Sequence, residues 1–354
     1  MPTPTQELLL RAALAPADES TRALAAWRSA IGDTPPMSLD VGSQRLLPLL
    51  YRRHQLPEHK ALQRRAWATN TLLLQTLAEV VVSLRAVGIE LLVLKGAALA
   101  QRYYGDVAAR PMSDLDVLLR ASDVPRAIAT LEAEGWLLER PIPAWVGNPA
   151  TAPIGHGWAF ARADQAIDLH WFAIPQSCQP DADRALWEHS EPLVVGDVTT
   201  RTPSATEHLL HTLAHGVMFN PVAPIRWVAD ALMLTRHTID WSRLLHETLR
   251  RGLLLAVREP LAWLVQHFAV DAPILLPLEA VPPKLIDRWR YQHALHPWND
   301  RESLPHLWMD WWRFAEGRPL RDAPAILERY CHYRWGARSI WHISLRRLGL
   351  TAPG

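Results

Sequence analysis

Residues 89–119 restrict the fold more than any other part of the chain. An apolar run, Ile89 to Leu94, stops at Lys95-Gly96-Ala97, and a short helical pattern then reaches Tyr104. A second apolar run, ending near Leu119, carries Asp114 and Asp116 on either side of Leu115. Residues i and i+2 of a strand share a face, so the two carboxylates project together. Their mutual repulsion is relieved most simply by a divalent cation bound to their oxygens. A glycine in the preceding turn lets a polyphosphate approach the backbone, and the N-terminus of the next helix favours negative charge. The combination points to a metal-bound nucleoside triphosphate.

A third carboxylate follows at Asp168, inside Ala166-Ile167-Asp168-Leu169-His170-Trp171. An unpaired charge on so apolar a strand is costly. Asp168 therefore either faces water from an edge strand or shares a metal with Asp114 and Asp116. His170 lies on the same face as Asp168 and is either a neighbour of that site or a hydrogen-bonded core histidine. Lys95 either contacts phosphate or reaches solvent from the strand end. Arg110 either neutralises phosphate or pairs with Asp106, and Ser113 either binds phosphate or caps the strand. His211 and His215 stand one helical turn apart, a spacing that suits zinc, but position 212 is Thr and no third ligand is evident. With Arg226, Trp227 and Asp230, these histidines are read as packing within a helical domain, the alternative being a face toward a nucleotide or its acceptor.

The motif set resembles the nucleotidyltransferase superfamily typified by DNA polymerase β. The segments KGAALAQRYYGD, RPMSDLDVLL and IDLHW are more closely similar to a bacterial branch, the uncharacterised nucleotidyltransferase family, over roughly Leu72 to Trp241. The resemblance implies catalytic and metal-ligating roles for Asp114, Asp116 and Asp168, with Asp168 as ligand or general base. It implies magnesium (or manganese) as cofactor and a nucleoside triphosphate as donor. Lys95, Gly96, Ala97, Arg110 and Ser113 are then the donor-binding residues. The wider superfamily has Gly-Gly or Gly-Ser where this chain has Gly96-Ala97, which leaves more of the phosphate contact to backbone amides. The implied reaction is two-metal transfer of a nucleoside monophosphate to a hydroxyl of a small molecule, peptide or protein. Two other readings stay open: a non-catalytic nucleotide-binding or regulatory protein of the same fold, and an Asp-x-Asp glycosyltransferase.

The expected architecture is α/β (α+β), a mixed-sheet core flanked by helical regions. The boundaries read as an N-terminal helical region 1–71, a nucleotidyltransferase core 72–200 and a C-terminal helical domain 201–354. Apolar spacing predicts helices at 7–13, 21–31 and 41–53, broken at Pro35-Pro36. It predicts a buried helix from Leu72 to Val87 ended by Gly88, and a helix from Asp123 to Glu134 capped by Ser122 and stopped by Gly135. Residues 136–152, rich in Pro and Gly, read as a loop folded over the site. His156–Arg162 and Ala166–Phe172 read as a hairpin, and Leu193–Thr200 as one more strand. Helices are predicted at 206–219, 225–236, 241–251 and 253–268, with 271–283 as a proline-rich linker or packed turn. The Trp- and Arg-rich tail, 285–350, gives no clear pattern.

A net charge of +1 argues against nucleic acid as a partner. Lysine occurs only at 60, 95 and 284, an arginine bias that fits a GC-rich bacterial genome. Two distant cysteines and no signal-peptide or bilayer-spanning pattern fit a cytoplasmic protein that does not enter membranes.

Overall fold

The computed structural model describes residues 1–138, 154–216, 225–295 and 304–335. Helices α1 (Pro4–Leu14), α2 (Ala17–Ile31), α3 (Val41–Gln44), α4 (Leu47–His54) and α5 (Lys60–Ala86) precede a mixed sheet. Helices α6 (Lys95–Arg102), α7 (Val124–Ala133) and α8 (Arg184–Glu188) lie between its strands. After the sheet come α9 (Ala205–Gly216), α10 (Arg226–Leu234), α11 (Trp241–Arg250), α12 (Leu254–Phe268), α13 (Leu275–Ala280), α14 (Leu285–Leu295), α15 (Leu304–Ala315) and α16 (Ala323–Trp335). The strands are β1 (Leu91–Val93), β2 (Leu115–Leu119), β3 (Leu137–Leu138), β4 (Gly157–Arg162), β5 (Gln165–His170), β6 (Glu191–Val195) and β7 (Val198–Thr202). They form one seven-stranded sheet in the order β3-β4-β5-β2-β1-β7-β6. The pairs β1–β7 and β2–β5 are parallel and the others antiparallel. This is the mixed α/β architecture expected from the sequence.

Alternation along β1 and β2 divides the apolar side chains between two clusters. Leu91, Val93, Leu115, Val117 and Leu119 pack with α5, α7 and residues Phe314, Ile326 and Tyr330. Leu92 and Leu118 face the other way, into a cluster that joins N-terminal residues such as Leu9, Leu10, Trp27 and Leu50 to Leu209, Val228, Leu261 and Leu278. Asp116 is in phase with Leu118, so it emerges on the sheet face that the N- and C-terminal helices cover. Among the described residues no helix is long and apolar enough to cross a membrane.

Glycine stops act at the two places that aim the sheet. Gly88 has φ +73, with Gly88 N–H donating to Arg85 O and Ile89 N–H to Leu84 O, both at 2.9 Å. Gly135, at φ +83, ends α7 with the same bond pattern to Glu132 and Leu131. These are left-handed caps that satisfy the last helical carbonyls. Several expectations need correction. Helix α5 starts at Lys60 rather than Leu72, and Leu72, Val82 and Val87 are exposed. Ser122 does not cap α7; it sits in a 3-10 turn, Ala121–Asp123, and no side chain caps the helix. The single strand expected at 193–200 is two, β6 and β7, paired Val195 to Val198 around Gly196-Asp197. The segment 271–283 contains α13, and the first described part of the tail forms α14, α15 and α16. Most of the loop expected at 136–152 lies outside the described residues, as do 217–219 and 336–350.

The segment entering β2 is held from below by one amide. Asn70 on α5 is fully buried; its Nδ2 donates to the carbonyls of Val107 and Arg110, and its Oδ1 accepts from Met112 N–H at 3.0 Å. Removing it strands buried backbone groups at a cost of about 1–3 kcal/mol each. Asn70→Ala is expected to lower stability by about 3 kcal/mol, read as a shift in the urea midpoint at unchanged slope.

Candidate functional site

The carboxylates meet because two strand pairings converge on Asp116. β1 runs antiparallel to β2, so the residue leaving β1 returns to the start of β2, and Leu94 N–H donates to Asp116 O at 2.9 Å. β2 runs parallel to β5 with Asp116 opposite Asp168 and Leu118 opposite His170. Lys95 follows β1 at φ +43, a left-handed conformation rare for a long side chain and common where function holds the backbone. From there its Nζ lies 2.7 Å from Asp116 Oδ1. His170 Nε2 lies 3.0 Å from the same oxygen. One atom of each of Asp116, Asp168 and His170 falls within 4.8 Å of the others, a group able to hold a metal ion.

Burial and charge set the protonation of the two carboxylates in opposite directions. Burial alone would raise the Asp116 carboxyl, but Lys95 and His170 outweigh it and hold the group well below the usual carboxylate range. Burial and the Asp116 charge push the Asp168 carboxyl up. Asp168 is half-buried and, among the described residues, accepts no hydrogen bond and forms no ion pair. Both partners of Asp116 use Oδ1. Asp116 and Asp168 would hold a cation through hard oxygen ligands, and it would balance their charge, so the residues present fit a divalent metal. His170 donates Nε2–H to ionised Asp116 in this arrangement and thereby orients the carboxylate; to ligate through Nε2 it would have to give up that bond.

A cavity of about 400 Å³ opens over this group, within the size range of small-molecule sites. Asp114, Ser113, Gly96, Arg110 and Lys95 line it along with Asp116 and Asp168. Asp114 stands one dipeptide before Asp116, outside the 4.8 Å group, and its Oδ1 accepts from Ser113 Oγ at 3.1 Å. Gly96 does not form a separate turn but lies in the first turn of α6, where a Cβ would lie 3.0 Å from Met112 Sδ and 3.2 Å from Arg110 Nη1. Ala97 is buried in the apolar cluster beneath the turn and is not in the cavity wall. The lining also includes His156, which stacks on His170 at 5.7 Å, and His211 and His215; burial first and nearby positive charge second drive all three imidazoles well below the usual histidine range.

Arg110 does not pair with Asp106, which instead accepts from Ala108 N–H in the turn Val107–Ala109. Its partner is Asp230 on α10: Nε to Oδ1 at 2.7 Å and Nη2 to Oδ2 at 2.8 Å, with Tyr104 O–H donating to the same Oδ1 at 2.6 Å. Asp230 therefore joins α10 to the entry of β2, beyond the packing role read from the sequence. His211 and His215 stack at 5.3 Å, but His211 Nε2 lies 3.0 Å from Ala173 O, and neither belongs to the metal-capable group. Asn70, Arg45 and His156 carried no sequence signal, because their roles rest on contacts between distant segments.

A family profile described as "Uncharacterised nucleotidyltransferase" matches residues 43–269. Similar solved structures include the antibiotic-resistance factor ANT(2'')-Ia, studied in solution. It is 14% identical, with 57% of this chain and 98% of that chain covered and a TM-score of 0.37. Another is an antigenic nucleotidyltransferase-like protein from Paracoccidioides brasiliensis. It is 15% identical, with 62% and 92% covered and a TM-score of 0.36. No curated protein sequence matches the chain.

Proposed function

Because this chain belongs to the uncharacterised nucleotidyltransferase family, we propose that it transfers a nucleoside monophosphate from a nucleoside triphosphate to a hydroxyl of a small molecule, peptide or protein. The observation that carries the reading is Asp168 beside Asp116 across a parallel strand pair, at a cavity floor and without a partner of its own among the described residues. Asp116 and Asp168, with Asp114 at the approach, would hold magnesium or manganese. Such an ion supplies charge neutralisation for the triphosphate and eases ionisation of the acceptor. The acceptor oxygen attacks the α-phosphorus, the bond to the bridging oxygen breaks, and pyrophosphate leaves with that electron pair. Asp168 would take the acceptor proton, as the carboxylate with no side-chain hydrogen bond or ion pair of its own among the described residues, whereas Lys95 and His170 already hold Asp116 Oδ1. Lys95 and His170 keep Asp116 ionised and fixed in direction. Residues 72–200 would supply this chemistry, with Gly42 and Arg45 from the N-terminal region and His211, His215 and Arg226 from the C-terminal region lining the cavity beside it.

Calorimetric titration of ATP, CTP, GTP and UTP with magnesium tests the reading on the wild type and on Asp114→Ala/Asp116→Ala. One nucleotide should bind in a magnesium-dependent way and be lost in the double variant. Binding that survives the double variant would overturn the site.

A further inference from the structure

The cations lining the cavity divide into two pairs. Lys95 is held by Asp116, and Arg110 is held on two of its nitrogens by Asp230. Arg226 forms no direct ion pair and shares Asp230 at longer range with Arg110, and Arg45 has no carboxylate partner among the described residues. Arg226, in the first turn of α10, donates from Nη1 to Pro111 O at 3.0 Å, which places it beside the segment entering β2. Arg45 follows α3, is exposed, and makes no hydrogen bond from its guanidinium. Burial first, and the Arg110 charge second, lower the Arg226 guanidinium to about 10, and Arg45 lies near enough to add to that effect. A half-buried arginine next to a second arginine and close to a third is an arrangement that an anion stabilises and that its absence leaves repulsive.

We propose that Arg45 and Arg226 form a phosphate-binding subsite that receives the polyphosphate tail of a nucleotide. This rests on the nucleotide-transfer reading for the identity of the ligand, while the subsite itself rests on three guanidinium groups lining one cavity with Asp230 as the carboxylate among them. A triphosphate whose α-phosphate lies at the carboxylates carries more negative charge than an ion there would balance. Lys95, the residue that the sequence offered for phosphate contact, is already committed to Asp116. The planar fork of a guanidinium is suited to phosphate oxygens. The subsite joins two helical segments from outside the sheet, so the donor is bound by three parts of the chain and not by the strand motif alone.

The test is titration of inorganic tripolyphosphate in magnesium-free buffer, on the wild type, Arg45→Gln, Arg226→Gln and the double variant. Each single change should weaken binding by about 10- to 100-fold, the value of a charged hydrogen bond converted to affinity. With magnesium present, nucleoside triphosphate should weaken similarly while nucleoside monophosphate is unchanged. Arg45 is exposed and unbonded, so Arg45→Gln reports on binding even if Arg226→Gln folds poorly. Undiminished tripolyphosphate affinity in Arg45→Gln and in the double variant overturns the subsite. It leaves the carboxylate site standing if nucleotide binding there still needs Asp116. Arginine-dependent tripolyphosphate binding that no nucleoside triphosphate displaces overturns the nucleotide-tail assignment, whereas the transfer reading falls only if no nucleotide binds in an Asp116-dependent way.

Discussion

An Asp116→Asn variant is expected to lose nucleotidyl transfer by on the order of 10³-fold, measured as magnesium-dependent pyrophosphate release from the preferred triphosphate. The size follows from several kcal/mol of transition-state charge stabilisation that the carboxylate pair contributes through its ion. The isosteric amide keeps the shape and hydrogen-bonding reach of the side chain, so the loss reports charge and not packing. Lys95 would then sit half-buried opposite a neutral group, and manganese titration followed by electron paramagnetic resonance should show the divalent site gone. His170→Gln should lose far less, because it orients Asp116 through one bond at 3.0 Å and does not carry the charge. Equal losses in the two variants would mean that His170 is itself a ligand.

The largest stability loss is expected at Asp230, well away from the carboxylates. Asp230→Ala leaves the Arg110 guanidinium, 3% exposed, without its two-point partner and costs Tyr104 its acceptor. Breaking one side of a buried pair typically costs about 3–5 kcal/mol. Chemical denaturation should show it, and Arg110→Met/Asp230→Leu should recover much of it, since no buried charge is left uncompensated. The pH dependence has a fixed sign. Burial raises the Asp230 carboxyl, but Arg110 outweighs it and holds the folded value below the unfolded one. The pair's contribution is therefore fully present above the unfolded value of about 4, and it is lost as pH falls through the lower folded value. The wild type should lose stability toward acid more steeply than the double variant.

The parts legible in the sequence are those set by local periodicity. Alternation put Asp114 and Asp116 on one face, and Gly88 and Gly135 marked helix ends because only a left-handed residue closes those turns. The side-by-side placement of Asp116 and Asp168 depends on the parallel pairing of β2 with β5, which no local pattern encodes; the family resemblance supplied it. In sequence β6 and β7 look like one strand because β-branched residues run on both sides of Gly196-Asp197, although those two residues are themselves a hairpin signal. Exposed Leu72 and Val82 look apolar in sequence, but facing is decided by what packs against α5. Arg110 illustrates the same limit: its partner was sought nearby at Asp106 and lies on a helix far along the chain.

The apolar cluster that unites the first helices with α9–α13 has a consequence for synthesis. Leu9 and Leu10 pack in the same cluster as Leu261 and Leu278, and Arg11 donates to His267 O. At roughly 5–20 residues per second, α1 emerges from the ribosome on the order of ten seconds or more before α12 exists to cover it. β7, which sits next to β1 inside the sheet, also arrives late. The nascent N-terminal half thus carries an uncovered apolar surface until translation is well advanced, and its cluster closes only when α9–α13 have been made.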